Sequence, residues 1–318
     1  MSDSPQLLVL GAIGDALHIL TRSRHLLASV LLLVFATSAV AEVCPNPQVP
    51  KAQRDQADQL LVLSETEQAA AIQTHLPFGT PACPKLLPER EYILCYDPVA
   101  RIGLWAGYRL RAEDVIPAQR RNAFRTDPRL TDQETAHCAD YPGQGSGYDR
   151  GHIVPRDDMN RTNAVQTNTY LLSNMTPQSS LLNEGIWAWL EGLVRDYAKT
   201  YGEVVVVTGS IVQPPVRTVP SGNVAIPTRY YKMLLRTKSD GTLETLTIVL
   251  PNLQRGLPLP PGSFLSGPKL SPAEADTFLA AHTVSIREVE TLTGVDLLPN
   301  LTTEALKRAV ASELWPRN

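Results

Sequence analysis

The chain has no excess of positive charge: 29 lysines and arginines stand against 32 aspartates and glutamates, for a net charge of -3 at pH 7. A polyanionic partner would have to be held by a local patch, because the overall field does not attract it. Lysine is absent from residues 86–198. The positively charged residues of this segment are all arginine, at positions 90, 101, 109, 111, 120, 121, 125, 129, 150, 156, 161 and 195. Arginine grips phosphate or carboxylate through paired N–H bonds, so this bias supports an anion site. The codon usage of a GC-rich genome is an equally weighted alternative explanation.

A membrane-spanning apolar segment is also missing, because the run at 26–35 is too short to cross a bilayer as a stable helix. This run follows two arginines and precedes a small-residue cleavage site that ends at Ala41, which is the layout of a secretory signal peptide. We predict a cleaved signal peptide over residues 1–41, with an over-extended start or a long leader at 1–21. The prediction is a secreted or periplasmic protein without stable membrane insertion. A membrane anchor is the alternative interpretation.

The four cysteines form no Cys-x-x-Cys pair and the six histidines form no His-x-His pair. A zinc site is therefore not expected. An even number of cysteines in an exported chain indicates two disulfides. Three pairings of Cys44, Cys83, Cys95 and Cys138 are compatible with the sequence, and all of them would tie down its N-terminal half.

Internal repeats and a second hydrophobic core are not evident, so one main domain is the economical interpretation. We predict a disulfide-tied N-terminal extension over 42–90, with one polar helix near 55–75, and a single α+β domain over 91–318. Strands are predicted from apolar runs at 92–110 (as a hairpin), 204–207, 229–237 and 243–250.

Helix signals are concentrated in the second half of the chain. A helix fits residues 181–201, closed by Gly202. Capping-box spacing predicts two further helices, which begin after Ser271 and after Ser285. Residues 166–177 are predicted to form a short strand that leads into a turn at Pro177.

Four side chains recur every four residues on the helix predicted over 181–201: Asn183, Trp187, Glu191 and Arg195. They form one stripe. A solvated face carrying an ion pair between Glu191 and Arg195 is the ordinary interpretation of this pattern. Asn183 favours a functional interpretation of the stripe, because its amide oxygen can bind a cation.

His152 lies between the run Asp149-Arg150-Gly151 and Pro155. Gly151 permits a tight backbone turn and Pro155 fixes the exit, so the ring would be held in place. Histidine titrates near neutrality and is suited to proton transfer. A surface ion-pair cluster is the alternative, and a thiol nucleophile in this stretch is excluded because it contains no cysteine.

Three motifs follow one another along the chain: DRGH at 149–152, SNMTPQ at 173–178 and LNEGIWAWLE at 182–191. In this order they resemble the DNA/RNA non-specific endonucleases of the ββα-metal superfamily. Further similarity in RNAFRTDPRL and SIREVETLTGVDLLPNL extends the resemblance to about residues 92–301. It implies a central antiparallel β-sheet flanked by helices, with a ββα-metal active-site motif.

The resemblance implies a role for each matching residue. His152 matches the general base that takes a proton from the attacking water. Asn183 matches the direct protein ligand of the catalytic magnesium, and Glu191 matches the acidic residue that orients the metal-bound waters. Asn174 matches a second asparagine with a supporting role.

Three arginines complete the implied site. Arg150, Arg121 and Arg195 match arginines that contact phosphate or stabilise the transition state. Magnesium prefers oxygen ligands and keeps much of its water shell, so one amide ligand plus waters is chemically sensible.

The implied activity is hydrolysis of phosphodiester bonds in DNA and RNA, with Mg²⁺ as the cofactor and Mn²⁺ as an alternative, giving 5′-phosphate and 3′-hydroxyl ends. The implied partners are the two nucleic acids and a protein inhibitor. Two alternatives stay open: a catalytically weak nucleic-acid-binding protein on the same scaffold, and a phosphodiesterase for small exported substrates. Asp157 and Asp158 are expected to make the rim of the site more acidic.

Overall fold

The computed structural model describes residues 41–117, 119–141 and 147–317. Apart from Ala41, the predicted signal peptide lies outside these residues. The described chain forms α-helices α1 to α7 at Lys51–Gln59, Glu65–His75, Asn163–Asn168, Trp187–Tyr201, Pro272–Ala280, Ile286–Thr293 and Glu304–Arg308. It forms strands β1 to β10 at Lys85–Pro88, Ile93–Asp97, Ile102–Arg111, Tyr148–His152, Met175–Ser179, Glu203–Ile211, Arg217–Thr218, Ala225–Ile226, Arg229–Thr237 and Leu243–Pro251. No helix in the described ranges combines the length and the apolar character that crossing a bilayer requires.

A six-stranded sheet forms the centre of the fold, in the order β1-β2-β3-β6-β9-β10. Every neighbouring pair is antiparallel, which confirms the predicted central antiparallel sheet. The predicted hairpin at 92–110 is the β2–β3 pair. β1 lies upstream of residue 91, so the sheet also includes part of the predicted extension.

Both faces of this sheet are buried. Along β6, Val204 and Val206 belong to a cluster with the inner face of α4, whereas Val205 and Val207 belong to a second cluster with α2 and α6. Side chains alternate between the two faces of a strand, so the unbroken valine run serves both cores. α4 is thereby fixed against the sheet, with its other side available for a site.

Two local predictions are wrong. The helix near 55–75 is two helices, because Ser64 and Glu67 form a capping box that starts α2 as a separate element. Residues 166–177 do not form a strand and a turn: α3 covers the first part, and Pro177 lies in the middle of β5. β5 pairs with β4 in a two-stranded ribbon, where a proline without an N–H is tolerated.

The N-terminal extension is fastened to the rest of the chain by covalent and polar links. Disulfides join Cys44 to Cys138 and Cys83 to Cys95, which confirms the prediction of two bridges. The guanidinium of Arg125, which is almost fully buried, lies 2.7 Å from the Asp58 carboxylate of α1. The extension is therefore an integral part of the folded unit.

We expect the two disulfides to contribute unequally to stability. The bridge from Cys44 to Cys138 closes 94 residues and the other closes 12. Loop-closure entropy predicts a loss of roughly 5 kcal/mol in the free energy of unfolding for the C44S/C138S variant, against roughly 3 kcal/mol for C83S/C95S. Guanidinium denaturation of both variants measures the difference. Equal losses would contradict the entropic argument.

Candidate active site

β4, β5 and α4 build the candidate site as a ribbon followed by a helix. β4 carries the DRGH motif, and its register pairs Gly151 with Thr176 and His152 with Met175. A Cβ atom at Gly151 would lie 2.5 Å from Cβ of Gln178, which is too close for any real contact and cannot be relieved by rotating the glutamine side chain. Only glycine lets the ribbon close here, and this fixes the strand that carries His152.

The approach to α4 is not a regular helix. Leu182–Ile186 forms a π-helical turn, and within it Gly185 has non-helical angles of φ -105° and ψ -120°. Such wide turns inside helices are frequent at functional sites. The turn interrupts the predicted four-residue stripe, and Asn183 and Glu191 nonetheless line the same groove.

This groove has a volume of about 620 Å³ and contains most of the predicted site residues. It is lined by His152, Asn183 and Glu191 together with the arginines Arg120, Arg150 and Arg156. The three guanidinium groups share this lining with the carboxyl groups of Asp157, Glu184 and Glu191, so the groove offers arginine donors for an anion without a positive overall charge.

His152 is held between aromatic rings. The ring of Tyr170 lies edge-on at 5.3 Å and that of Phe124 at 6.0 Å, measured between centroids. The Nε2 atom of His152 is buried and makes no hydrogen bond within the described part of the chain. Burial, together with the charges of Arg120 and Arg156, lowers the pKa of His152 to about 3. The imidazole is therefore neutral at pH 7 but a weaker base than the near-neutral histidine expected from the sequence, and the negative charge of a phosphate bound beside Arg120 and Arg156 would raise its pKa again.

Arg150 is oriented by its surroundings. Its Nη2 donates to the carbonyl oxygens of Tyr141 at 3.2 Å and Cys138 at 3.5 Å. Its guanidinium also lies 4.8 Å from the ring centroid of Phe124, within the range of a cation–π contact. The remaining N–H groups are left for an anion in the groove.

Asp149 fixes the amide of Asn183, and the sequence did not single it out. Its Oδ2 accepts a hydrogen bond of 2.9 Å from Nδ2 of Asn183, while its Oδ1 accepts one of 2.7 Å from Oγ of Ser180. An ionised carboxylate only accepts hydrogen bonds, so the amide nitrogen must turn toward Asp149. Oδ1 of Asn183 is the atom left for a cation. The signal was present, because Asp149 opens the DRGH motif.

Glu191 lies above buried positive charge. Burial raises the pKa of its carboxyl to about 7, and the charges of Lys232 and Arg195 act against this rise. Lys232 on β9 is fully buried, and its Nζ lies 4.7 Å from the ring centroid of Trp187. A lysine among the otherwise apolar and aromatic residues 230–235 is unusual, and this signal could have identified it.

Three predicted site residues lie outside the lining of the groove, and their catalytic roles stay predictions. Nη1 of Arg121 donates to Oε1 of Gln53 at 3.5 Å, and its neighbour Arg120 lines the groove instead. Arg195 pairs with Asp158 at 3.0 Å, and not with Glu191 as the ordinary interpretation of the helical stripe would have it.

Asn174 is the third predicted site residue that lies outside the lining of the groove. Its amide bonds only backbone groups: Nδ2 donates to the carbonyls of Val154 and Thr169, and Oδ1 accepts from the Val154 N–H. These bonds hold the chain immediately after His152. Its position is that of a support for the segment that follows His152.

The expectation of an acidic rim is wrong for Asp158 and limited for Asp157. Asp158 is 2% exposed and bonds Tyr108 and Arg195 beneath the groove. Asp157 lines the groove and forms an ion pair of 2.7 Å with Arg156. Its charge is thereby largely balanced.

The donor set fits a hard divalent cation. Among the described residues no group of three or more His, Cys, Asp or Glu side chains could enclose a metal ion. The groove instead offers the Asn183 amide oxygen and the Glu191 carboxylate. This sparse set of oxygens suits Mg²⁺, which keeps several of its waters, and does not suit zinc.

The ribbon, the helix and the arginine-lined groove are the architecture of a phosphodiester-cleaving enzyme, and comparison with known proteins agrees. Residues 72–304 match the DNA/RNA non-specific endonuclease family. Nuclease C1 of Cunninghamella echinulata var. echinulata is 33% identical over 192 residues, covering 56% of this chain and 75% of that protein. Human mitochondrial endonuclease G is 29% identical over 240 residues, covering 72% of this chain and 74% of that protein.

A solved structure gives the same result. The crystal structure of a complex of EndoG with EndoGI contains a similar chain, with a TM-score of 0.59 and 25% sequence identity. The match covers 73% of this chain and 93% of the chain in that structure. The chain belongs to the DNA/RNA non-specific endonuclease family, and it is a nuclease.

Proposed function

We propose that the protein is a sugar-non-specific endonuclease that hydrolyses phosphodiester bonds in both DNA and RNA. The observation that carries the proposal is the buried, unpartnered Nε2 of the neutral His152 in a groove lined by arginines. Contacts to phosphate carry no sequence information, so such a groove is suited to cleavage without base specificity.

In this mechanism His152 takes a proton from the attacking water. The water adds to phosphorus in line with the 3′ oxygen, the P–O3′ bond breaks, and the leaving oxygen takes a proton from solvent water while His152 later returns its proton to solvent, so the products carry 5′-phosphate and 3′-hydroxyl ends. Arg150, Arg120 and Arg156 donate hydrogen bonds to the phosphate oxygens as negative charge accumulates on them. Arg156 is suited to this role because its buried Nη1 has no hydrogen-bond partner in the described part of the chain.

The proposal includes Mg²⁺, with Mn²⁺ as an alternative, held by Oδ1 of Asn183. Asp149 orients that amide, and Glu191 accepts hydrogen bonds from water at the site. When bound, a divalent cation supplies positive charge that stabilises the phosphate oxygens and the leaving 3′ oxygen. With a pKa of about 7, Glu191 is partly ionised near neutrality, and a nearby cation favours its ionised form.

We also propose that the protein acts in a secreted or periplasmic setting. The two disulfides support this location, because such bridges persist in oxidising compartments. A protein inhibitor is a further proposed partner, and the similarity to a solved EndoG–EndoGI complex supports it.

The test is incubation of the purified protein with plasmid DNA and with RNA, in Mg²⁺ and in EDTA. We expect both substrates to be cleaved in Mg²⁺ and neither in EDTA, with activity restored by Mg²⁺ or Mn²⁺ in excess of the chelator. DNA ligase should rejoin compatible nicked products without prior phosphorylation, because their ends are 5′-phosphate and 3′-hydroxyl. Undiminished cleavage in EDTA, or cleavage of one nucleic acid only, would refute the proposal.

A further inference from the structure

The groove contains one aromatic side chain that the proposed mechanism does not use. Phe264 lines the same groove as His152, and it is 97% exposed. Removing an aromatic side chain from water is strongly favourable, so a ring left this exposed at a binding groove has a surface to offer a ligand.

The loop that carries Phe264 is anchored on the active-site turn. Oγ of Ser263 donates to the carbonyl oxygen of Glu184, the residue after Asn183, at 3.4 Å. The N–H of Leu270 donates to the carbonyl oxygen of Leu259 at 2.7 Å, and the Leu259 side chain is buried. The exposed ring therefore sits on a loop tied at both sides, next to the proposed metal ligand.

The other large aromatic side chain of the groove, Trp189, already interacts with other residues of the protein. Nε1 of Trp189 donates to Asp276 at 2.9 Å, and Arg317 lies 5.7 Å from its ring centroid. Phe264 has no comparable polar handle, so what it can offer is the flat face of its ring. A nucleotide presents two chemistries, a phosphate and a flat base, and the groove presents arginines and this ring.

We propose that Phe264 stacks on an unpaired base beside the scissile phosphate, so that the groove holds single-stranded nucleic acid more tightly than duplex. Bases inside a duplex have both faces covered by their neighbours, whereas a single strand can present a free face. Stacking on an aromatic ring is tolerant of base identity, so this contact keeps the enzyme non-specific for sequence. The inference rests on the nuclease function and adds the form of substrate that it favours.

Binding is tested in the His152→Ala background, which is expected to cleave about 10²- to 10⁴-fold more slowly, with a single-stranded oligonucleotide that contains 2-aminopurine. Stacking quenches the fluorescence of this base. We expect quenching on binding with Phe264 present, and its loss in H152A/F264A with a dissociation constant roughly tenfold higher. F264W should keep both effects and F264L should lose them, because leucine is apolar without a flat face.

The matched control is Val99→Ala, which removes another highly exposed apolar side chain, 89% exposed, outside the lining of the groove. It should change neither quenching nor affinity. An abasic oligonucleotide should bind H152A and H152A/F264A with equal affinity, because it offers no base for the ring to stack on.

Cleavage assays distinguish failure of the stacking proposal from failure of the nuclease function on which it rests. In the active background, F264A should cleave plasmid duplex at nearly the original rate and single-stranded DNA about tenfold less efficiently. Unchanged quenching and unchanged single-strand affinity in F264A, or full retention of both in F264L, would overturn the stacking contact while leaving the nuclease function intact. Failure of the function itself would appear as absence of cleavage by the unsubstituted protein.

Discussion

Replacing His152 with alanine should lower kcat/KM for plasmid DNA by about 10²- to 10⁴-fold, the range in which a positioned general base contributes to catalysis. The reason is that the proposed mechanism assigns proton transfer to Nε2 of His152, which is buried and has no hydrogen-bond partner among the described residues. Its pKa of about 3 keeps the imidazole of the free enzyme neutral across the usual range of assay pH. Steady-state cleavage of plasmid at several substrate concentrations measures the loss.

Two controls make this result specific. His282→Ala removes a histidine outside the groove, whose Nδ1 contacts the carbonyl oxygen of Phe278, and it should leave kcat/KM unchanged. Added imidazole should restore part of the activity of H152A, because the small base can occupy the space that the substitution opens between Phe124 and Tyr170. Full activity in H152A would remove the general base from the mechanism.

The sequence predicted the features that depend on local patterns or on the resemblance to a family. The strand positions were predicted from apolar runs, whereas the central antiparallel sheet and the ββα-metal motif were predicted from the resemblance to one family. His152 and Arg150 line the groove from β4, Asn183 lines it from the π-helical turn, and Glu191 lines it from α4.

What the sequence did not predict depends on contacts between distant segments. Asp58 pairs with Arg125, and the ammonium of Lys232 lies over the ring of Trp187, and no periodicity in the sequence reveals either contact. The π-helical turn could not be predicted from a four-residue stripe, since Gly185 changes the geometry locally. Arg120 lines the groove in place of Arg121, because a shift of one residue in an irregular loop redirects the side chain.

Replacing Asn183 with alanine should lower activity by about 10²- to 10³-fold, comparable to the loss of one well-aimed transition-state donor. The physical reason is the loss of the amide oxygen that Asp149 orients for the cation. Activity measured over a range of Mg²⁺ concentrations should show a higher requirement for the ion. An unchanged Mg²⁺ dependence in N183A would exclude Asn183 as the metal ligand.

Asn183→Asp tests whether orientation or charge makes this residue a good ligand. A carboxylate binds Mg²⁺ more strongly than an amide does, so charge alone predicts that N183D is active. Yet position 183 lies at hydrogen-bonding distance, 2.9 Å, from the Asp149 carboxylate. Two carboxylates this close repel each other, and one of them would take up a proton or turn away. We therefore expect N183D to be nearly as impaired as N183A.

The exchanged pair decides between the two explanations. In D149N/N183D the amide of residue 149 can donate to the carboxylate of residue 183, which restores one hydrogen bond with its direction reversed. We expect this variant to recover at least about tenfold of the activity lost in N183D, the scale on which residues that orient metal ligands act. D149N alone should be mildly impaired, because its amide oxygen can still accept from Asn183. If N183D is fully active on its own, Asp149 does not orient the ligand, and the cation is held by charge without this hydrogen bond.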